Sequence, residues 1–326
     1  MKITVLGAGA WGTALARLLA VAGHEVMIWD FFPETLDQIA RTGCNERFLP
    51  GIKLPDSIRC EPDLSRAIAQ ADLVVVAVIS KAVRAVAERI AGFSGCVLSV
   101  TKGIEYDTGL TMSGILETML PDARIAALSG PSFAIEVARD VPTAVVVASR
   151  HPETASFIQR LFHSRSFRVY TSVDVRGVEL GGALKNVIAI GAGVCDGLGY
   201  GDNAKAALVT RGIAEIKRLG VACGAQPETF TGLSGLGDLM ATCFSRLSRN
   251  RGFGERIGRG EKIADILASM VGVVEGYPTA RAAYQLARKH AVSTPIINEV
   301  YAMLYEGKDV RQAVRDLMAR DSKPED

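Results

Sequence analysis

The strongest constraint on the fold lies at the N-terminus. Lys2 to Leu6 (Lys-Ile-Thr-Val-Leu) is a β-branched apolar run, followed at once by Gly7-Ala-Gly9-Ala10-Trp11-Gly12. Thr13 to Ala22 is then rich in Ala and Leu at a helical apolar period and stops at Gly23. Few architectures pass from strand to helix through Gly-x-Gly-x-x-Gly. The first glycine makes the bend and the second lets the backbone approach a pyrophosphate. The third lets the helix pack closely on the strand, and free N–H groups at the helix start hold phosphate charge. Gly7, Gly9, Ala10, Trp11 and Gly12 are therefore expected to bind a dinucleotide.

Glu25-Val-Met-Ile-Trp29 reads as a second strand with Asp30 at its end, 23 residues after Gly7. An acid at roughly that spacing (~20 residues) accepts hydrogen bonds from the adenosine ribose. A carboxylate there repels a 2′-phosphate. Phe31-Phe32-Pro33 follow, and no Arg or Lys occurs until Arg41. These residues favour NAD over NADP.

The pattern repeats. Leu73–Val78, Cys96–Val100 and Arg124–Leu128 are continuous apolar runs, and Thr143–Ala148 and Phe167–Tyr170 read as two further strands. Such runs suit parallel strands buried on both faces. Alternating with helices, they predict an α/β fold: an N-terminal Rossmann-type doubly wound parallel sheet. The polar and glycine-rich clusters Ser80-Lys81, Thr101-Lys102-Gly103 and Ser129-Gly130-Pro131-Ser132 all follow strands. They should converge on the carboxyl edge, where such sheets bind ligands. Lys102 can be a solvated loop lysine or a ligand-binding group.

From about Val173 the strand signal gives way to helices. They are expected at Val175–Gly193, Ala204–Leu219, Pro227–Phe230, Gly237–Phe244, Gly254–Ile257, Ile263–Met270, Tyr277–His290, Thr294–Glu306 and Val310–Arg320. The division is a Rossmann dinucleotide-binding domain over residues 1–174 and a C-terminal all-helical substrate and catalytic domain over 175–326. The tail, Asp321 to Asp326, reads as disordered.

The stretch Val178–Gly193 holds four glycines, each costing about 1 kcal/mol against alanine in a helix, so another backbone is expected to pack against it. Lys185 stands in its middle. Buried there, its pKa would fall from ~10.4 toward neutrality, poising it to exchange a proton; alternatively it snorkels to the surface. Asp238 and Thr242, four residues apart after the glycine-rich Thr231–Gly237, share a helix face. Asp238 is either a helix cap or a site acid. Ser248-Arg249-Asn250-Arg251 is a run of donors suited to phosphate, or a solvated basic face.

Composition narrows the function classes. The 326 residues fit two domains, and 37 Lys+Arg against 35 Asp+Glu leave a net charge of +2. No bulk field or aromatic interleaving points to nucleic acid. No charge-free apolar run reaches the ~18 residues of a spanning helix, and the N-terminus lacks a signal-peptide core. Six cysteines without a Cys-x-x-Cys pair, and four distant histidines, predict no metal site and a reducing, cytoplasmic setting.

Seven stretches in order carry a resemblance: Gly7–Ala16, Thr101–Gly103, Ser129–Ala134, Gly182–Gly193, Gly235–Leu239, Ser248–Asn250 and Val273–Gly276. The chain resembles the bacterial-type NAD(P)-dependent sn-glycerol-3-phosphate dehydrogenases, which reduce dihydroxyacetone phosphate. The resemblance implies that Lys185 is the proton donor to the C2 oxygen, with Lys102 and Asp238 beside it. It implies substrate binding by Lys102, Gly130, Ser132, Lys185, Asp238, Thr242, Ser248, Arg249 and Asn250. For NAD or NADP it implies Lys102, Ala134, Arg249, Val273 and Glu275, together with the glycine turn, Asp30 and Phe31. It also implies a cytoplasmic homodimer serving glycerophospholipid synthesis. Ala10 and Ile79 stand where many members carry Ser and Pro, and Phe31 where some carry a polar or basic residue. Two other readings are open: a related dehydrogenase of a 3-hydroxy acid or ketopantoate-like substrate, and a nicotinamide-binding sensor without catalysis.

Overall fold

The computed structural model describes residues 1–322 and residue 324. Lys323, Glu325 and Asp326, part of the tail expected to be disordered, lie outside the described residues. Eight strands form one sheet: β1 (Lys2–Leu6), β2 (Glu25–Trp29), β3 (Arg59–Cys60), β4 (Leu73–Val76), β5 (Cys96–Ser99), β6 (Arg124–Ser129), β7 (Thr143–Ala148) and β8 (Phe167–Ser172). Their order is β8-β7-β6-β5-β4-β1-β2-β3. The strand order reverses between β1 and β4, where Ile3 pairs with Leu73 and Leu6 with Val76. Crevices for ligands open at such switch points. The Gly7–Gly12 turn leaves β1 at this place.

The sheet departs from the expected wholly parallel form at one pair. β7 runs antiparallel to β6, with Ala127 opposite Ala148 and Ser129 opposite Val146. The link's one helix, Ala134–Ala138, packs against the helix Ala10–Val21 rather than along the sheet face, so the chain turns at the carboxyl edge and re-enters from the same side. The short β3, and a small hairpin of Cys44–Asn45 with Leu49–Lys53, have too few residues to leave a period in the sequence.

Helix α1 (Ala10–Val21) packs on one face of the sheet. Past β8 the described chain is helical, and α2 (Val175–Gly197) is its axis, buried from Gly177 to Cys195. Around it stand α3 (Asp202–Ala222), α4 (Asp238–Phe244), α5 (Arg249–Gly258), α6 (Gly276–Lys289) and α7 (Pro295–Tyr305). α2 is long and apolar enough to cross a membrane by length and composition, but its apolar window is wholly buried inside the protein.

The glycines of α2 do meet another backbone. A Cβ on Gly193 would overlap the Arg251 carbonyl oxygen, and one on Gly254 would overlap the Ile190 carbonyl oxygen. α2 and α5 thus cross with main chain against main chain, which brings the N-terminus of α5 beside the middle of α2.

Candidate active site

At the end of β1, Gly7 has φ +114°, and a Cβ there would stand 2.8 Å from the Ala77 carbonyl oxygen. A Cβ on Gly12 would overlap the Gly7 carbonyl, so α1 sits directly on the turn. Gly9 differs: nothing lies within 4 Å of where its Cβ would be. The first and third glycines are close-packed, and the second faces open space at a helix N-terminus. This cradle fits a pyrophosphate.

The turn is held by side chains. Asn45 Nδ2 donates to the Ala8 carbonyl at 2.7 Å and to Thr13 Oγ1 at 2.8 Å. The Asp30 carboxylate accepts from Ala8 N at 2.5 Å and from Phe32 N at 3.0 Å, which fixes it at the mouth of the crevice. Trp11 packs against the core of the Rossmann half. Phe31 is exposed and meets buried Trp29 edge-on, with ring centroids 4.7 Å apart.

The reacting end is built from the middle of α2, the loop after β5 and the start of α4. Lys185 Nζ on α2 donates to Asp238 Oδ1 at 2.7 Å and to Thr242 Oγ1 at 2.6 Å. Lys102, after β5, donates to Asp238 Oδ2 at 2.6 Å and to the Gly130 carbonyl at 2.9 Å. Ser132 Oγ also donates to that carbonyl, at 3.0 Å. One carboxylate therefore bridges two ammonium groups. Exposure of the side chains is 8 % for Lys185, 3 % for Asp238 and 19 % for Lys102, so neither lysine snorkels freely into solvent. Asp238 is not a helix cap; it opens α4 with its side chain turned to the lysines.

Electrostatics follow from this packing. Burial pushes Lys185 down to about 8; Asp238 opposes the fall and Lys102 adds to it. Burial acts to raise the Asp238 carboxyl, but Lys102 and Lys185 outweigh it and hold it below the usual carboxylate range. An ammonium has three N–H donors. Each lysine spends two within the cluster and keeps one for a ligand.

The third region is the start of α5. Ser248 caps it, its Oγ accepting from Arg251 N at 3.2 Å. Asn250 is largely committed inside the protein: Oδ1 accepts from Gly276 N at 2.9 Å, and Nδ2 donates to Asn186 Oδ1 at 2.9 Å. Only one amide proton is left for a ligand. Arg251 pairs with Asp196 at 2.6 Å. Arg249 is exposed and makes no hydrogen bond or ion pair among the described residues. Gly272, at φ +82°, makes room for it, since a Cβ there would overlap Arg249 Nη1.

The two halves are tied across the crevice. Glu275 accepts from Ser80 N at 3.0 Å and Ser80 Oγ at 2.5 Å. Burial raises the Glu275 pKa, with the Ser80 bonds acting against the rise. Val273 is half-buried just before it, and Ala134 opens the short helix after Ser132. Sequence reasoning missed three partners. Asn186 had a local signal, a polar residue beside Lys185 in an apolar helix. The Ser80–Glu275 bond had none. Arg89, whose guanidinium lies 5.1 Å from the Trp29 ring centroid and 5.5 Å from that of Phe31, also had none.

Comparison with known proteins gives one answer over both halves. Residues 2–155 match the family described as NAD-dependent glycerol-3-phosphate dehydrogenase N-terminus, and residues 174–315 match its C-terminus. The chain is 50 % identical over 331 residues to a glycerol-3-phosphate dehydrogenase (NAD(P)+) of Chlorobium limicola, covering 100 % of this chain and 99 % of that one. It is 50 % identical over 330 residues to the protein of that name in Geobacter sulfurreducens, covering 99 % and 98 %. A crystal structure of glycerol-3-phosphate dehydrogenase from Coxiella burnetii superposes with a TM-score of 0.95 at 37 % identity, covering 98 % of this chain and 99 % of that chain.

Proposed function

The chain belongs to the NAD-dependent glycerol-3-phosphate dehydrogenase family, and from that premise we propose how its residues divide the reaction. It is an oxidoreductase that reduces dihydroxyacetone phosphate to sn-glycerol 3-phosphate with NAD(P)H. The nicotinamide, when bound, supplies the hydride that C2 of the ketone accepts. Gly7, Gly9, Ala10, Trp11 and Gly12 hold its pyrophosphate and Asp30 its ribose, with Ala134, Val273 and Glu275 along the nicotinamide side.

The observation that carries the reading is the Asp238 carboxylate shared by Lys185 and Lys102. The remaining N–H of each lysine meets the C2 oxygen, so charge developing there finds one buried and one half-buried cation with one counter-charge between them. Lys185 gives the proton. Near pH 7 an ammonium with a pKa of about 8 is mostly protonated yet parts with its proton readily, and in the reverse direction the amine recovers it. Lys102 polarises the carbonyl, Asp238 orients both lysines, and Thr242 fixes Lys185 from the other side.

Arg249, with its donors free, binds the substrate phosphate together with the N–H groups of the first turn of α5. Ser248 and Asn250 hold that turn in shape. The Gly130–Ser132 loop closes the space between substrate and coenzyme. In this reading residues 1–174 bind the coenzyme and residues 175–326 bind the substrate. A cytoplasmic homodimer supplying the glycerophospholipid backbone rests on the family resemblance. The 3-hydroxy acid and ketopantoate-like readings gain nothing from two half-chain matches to one other family. A sensor has no use for two lysines converging on one buried carboxylate.

Lys185→Met tests the assignment. The turnover number for ketone reduction should fall by ~10²–10⁴, the usual range for a general acid, while coenzyme still binds. Near-wild-type turnover would remove Lys185 from the mechanism.

A further inference from the structure

We propose that Arg89 is a specificity-determining residue for the coenzyme: it reads the 2′ position of the adenosine ribose and admits the 2′-phosphate of NADPH beside Asp30. The proposal rests on the reading that Gly7–Gly12 and Asp30 hold the coenzyme. Trp29, Asp30 and Phe31 are consecutive, and the Arg89 guanidinium lies over the rings of the two residues that flank the acid. Along the sequence Asp30 stands without a nearby cation until Arg41. In space the end of the helix Val83–Arg89 supplies one.

The geometry leaves Arg89 able to act. Its side chain is exposed and has no hydrogen bond or ion pair among the described residues, only the two ring contacts. A guanidinium held over ring faces, with no hydrogen-bond partner of its own among the described residues, keeps its N–H donors free to fork onto a phosphate. The platform beneath is rigid. Trp29 is 1 % exposed and donates from Nε1 to the Pro62 carbonyl at 3.0 Å. Phe31, 42 % exposed, offers the open ring face beside it. Each oxygen of Asp30 holds one backbone N–H and retains lone pairs for ribose hydroxyls. One acid for hydroxyls and one cation for phosphate, side by side, let a single site accept either coenzyme.

The test compares two adenosine fragments on the full-length protein, 5′-AMP and 2′,5′-ADP, which differ only in the 2′-phosphate. Their dissociation constants are measured by calorimetry for the wild type, Arg89→Met and Arg89→Lys. Methionine keeps an apolar cover over the two rings, so the fold is maintained. Arg89→Met should weaken 2′,5′-ADP roughly 10- to 100-fold, the scale of a charge-assisted hydrogen bond. It should leave 5′-AMP unchanged, and Arg89→Lys should recover part of the loss. The kcat/KM ratio of NADPH to NADH should fall with the 2′,5′-ADP affinity. Equal weakening of both fragments, or of neither, would overturn the role given to Arg89. A wild type that binds neither fragment would instead overturn the coenzyme site on which the proposal stands, and the proposal with it.

Discussion

Replacing Asp238 by asparagine removes the single negative charge from a cluster of two positive ones at almost constant volume. The Lys185 ammonium lies 2.7 Å from Oδ1; at an effective dielectric constant of ~20 that attraction is about 6 kcal/mol. Burial and Lys102 both depress the Lys185 pKa, and Asp238 opposes them most strongly. If only a quarter of the attraction survives reorganisation, the loss is ~1.5 kcal/mol, about one pKa unit. The lysine then titrates well below about 8, and at pH 8 it is chiefly the neutral amine. The alkaline limb of the pH–rate profile for ketone reduction should move down by about one unit or more, and turnover at pH 8 should fall roughly fivefold or more as the protonated share of Lys185 drops from about a half to about a tenth.

Stability gives an independent arm. A buried cation that has lost its partner costs about 3–5 kcal/mol while it stays charged. A lysine whose folded pKa is depressed carries that cost fully below the folded pKa and sheds it as pH rises toward the unfolded value of ~10.4. The variant's deficit in melting temperature should therefore be larger at pH 6 than at pH 9. An unmoved alkaline limb with turnover within about threefold of wild type, where general acids contribute ~10²–10⁴, would refute the claim that Asp238 sets the charge of Lys185.

Three further outcomes follow from the same geometry. Arg249→Ala should raise KM for dihydroxyacetone phosphate roughly 10- to 100-fold with kcat little changed, since one charge-assisted contact is lost from the ground and transition states alike; steady-state kinetics at saturating coenzyme will show it, and an unchanged KM would send the phosphate elsewhere. Gly254→Ala places a methyl on the Ile190 carbonyl and should cost about 3 kcal/mol, the upper end for overpacking. Gly252→Ala on the same helix meets nothing within 4 Å and should be neutral or stabilising in thermal unfolding.

What was legible in the sequence was local. The strand, glycine turn and helix at residues 2–21 lie within one stretch of chain, so their order alone announces the turn. The glycines of α2 likewise announce a close backbone, though not that its owner is α5. Strand direction was not legible at β7: an apolar run reads the same both ways, and the packing of the link's helix on α1 comes from distant parts of the chain. The choice between a buried and a snorkelling Lys185 depends on which helices enclose α2, and those come from distant parts of the chain. Arg89 was invisible for the same reason, because the rings beneath it belong to a strand end far earlier in sequence. Asn250 suits a phosphate by its side-chain type, but the sequence does not show that its amide also serves Gly276 and Asn186 and keeps one proton over.

The main-chain contact between α2 and α5 makes the protein a caliper. One jaw is Lys185 and the other is the first turn of α5, and the hinge between them is two backbones already touching at Gly193 and Gly254. The hydrogen bond from Asn250 to Asn186 locks the setting. Where the backbones touch at Gly193 and Gly254 no side chain lies between the helices, so none can be trimmed there to change the gap. Under the roles proposed for Lys185 and Arg249, a phosphorylated ketone one methylene longer should fit this fixed gap poorly. Accepting it would mean reseating a whole helix, a change that single substitutions in the pocket lining cannot supply.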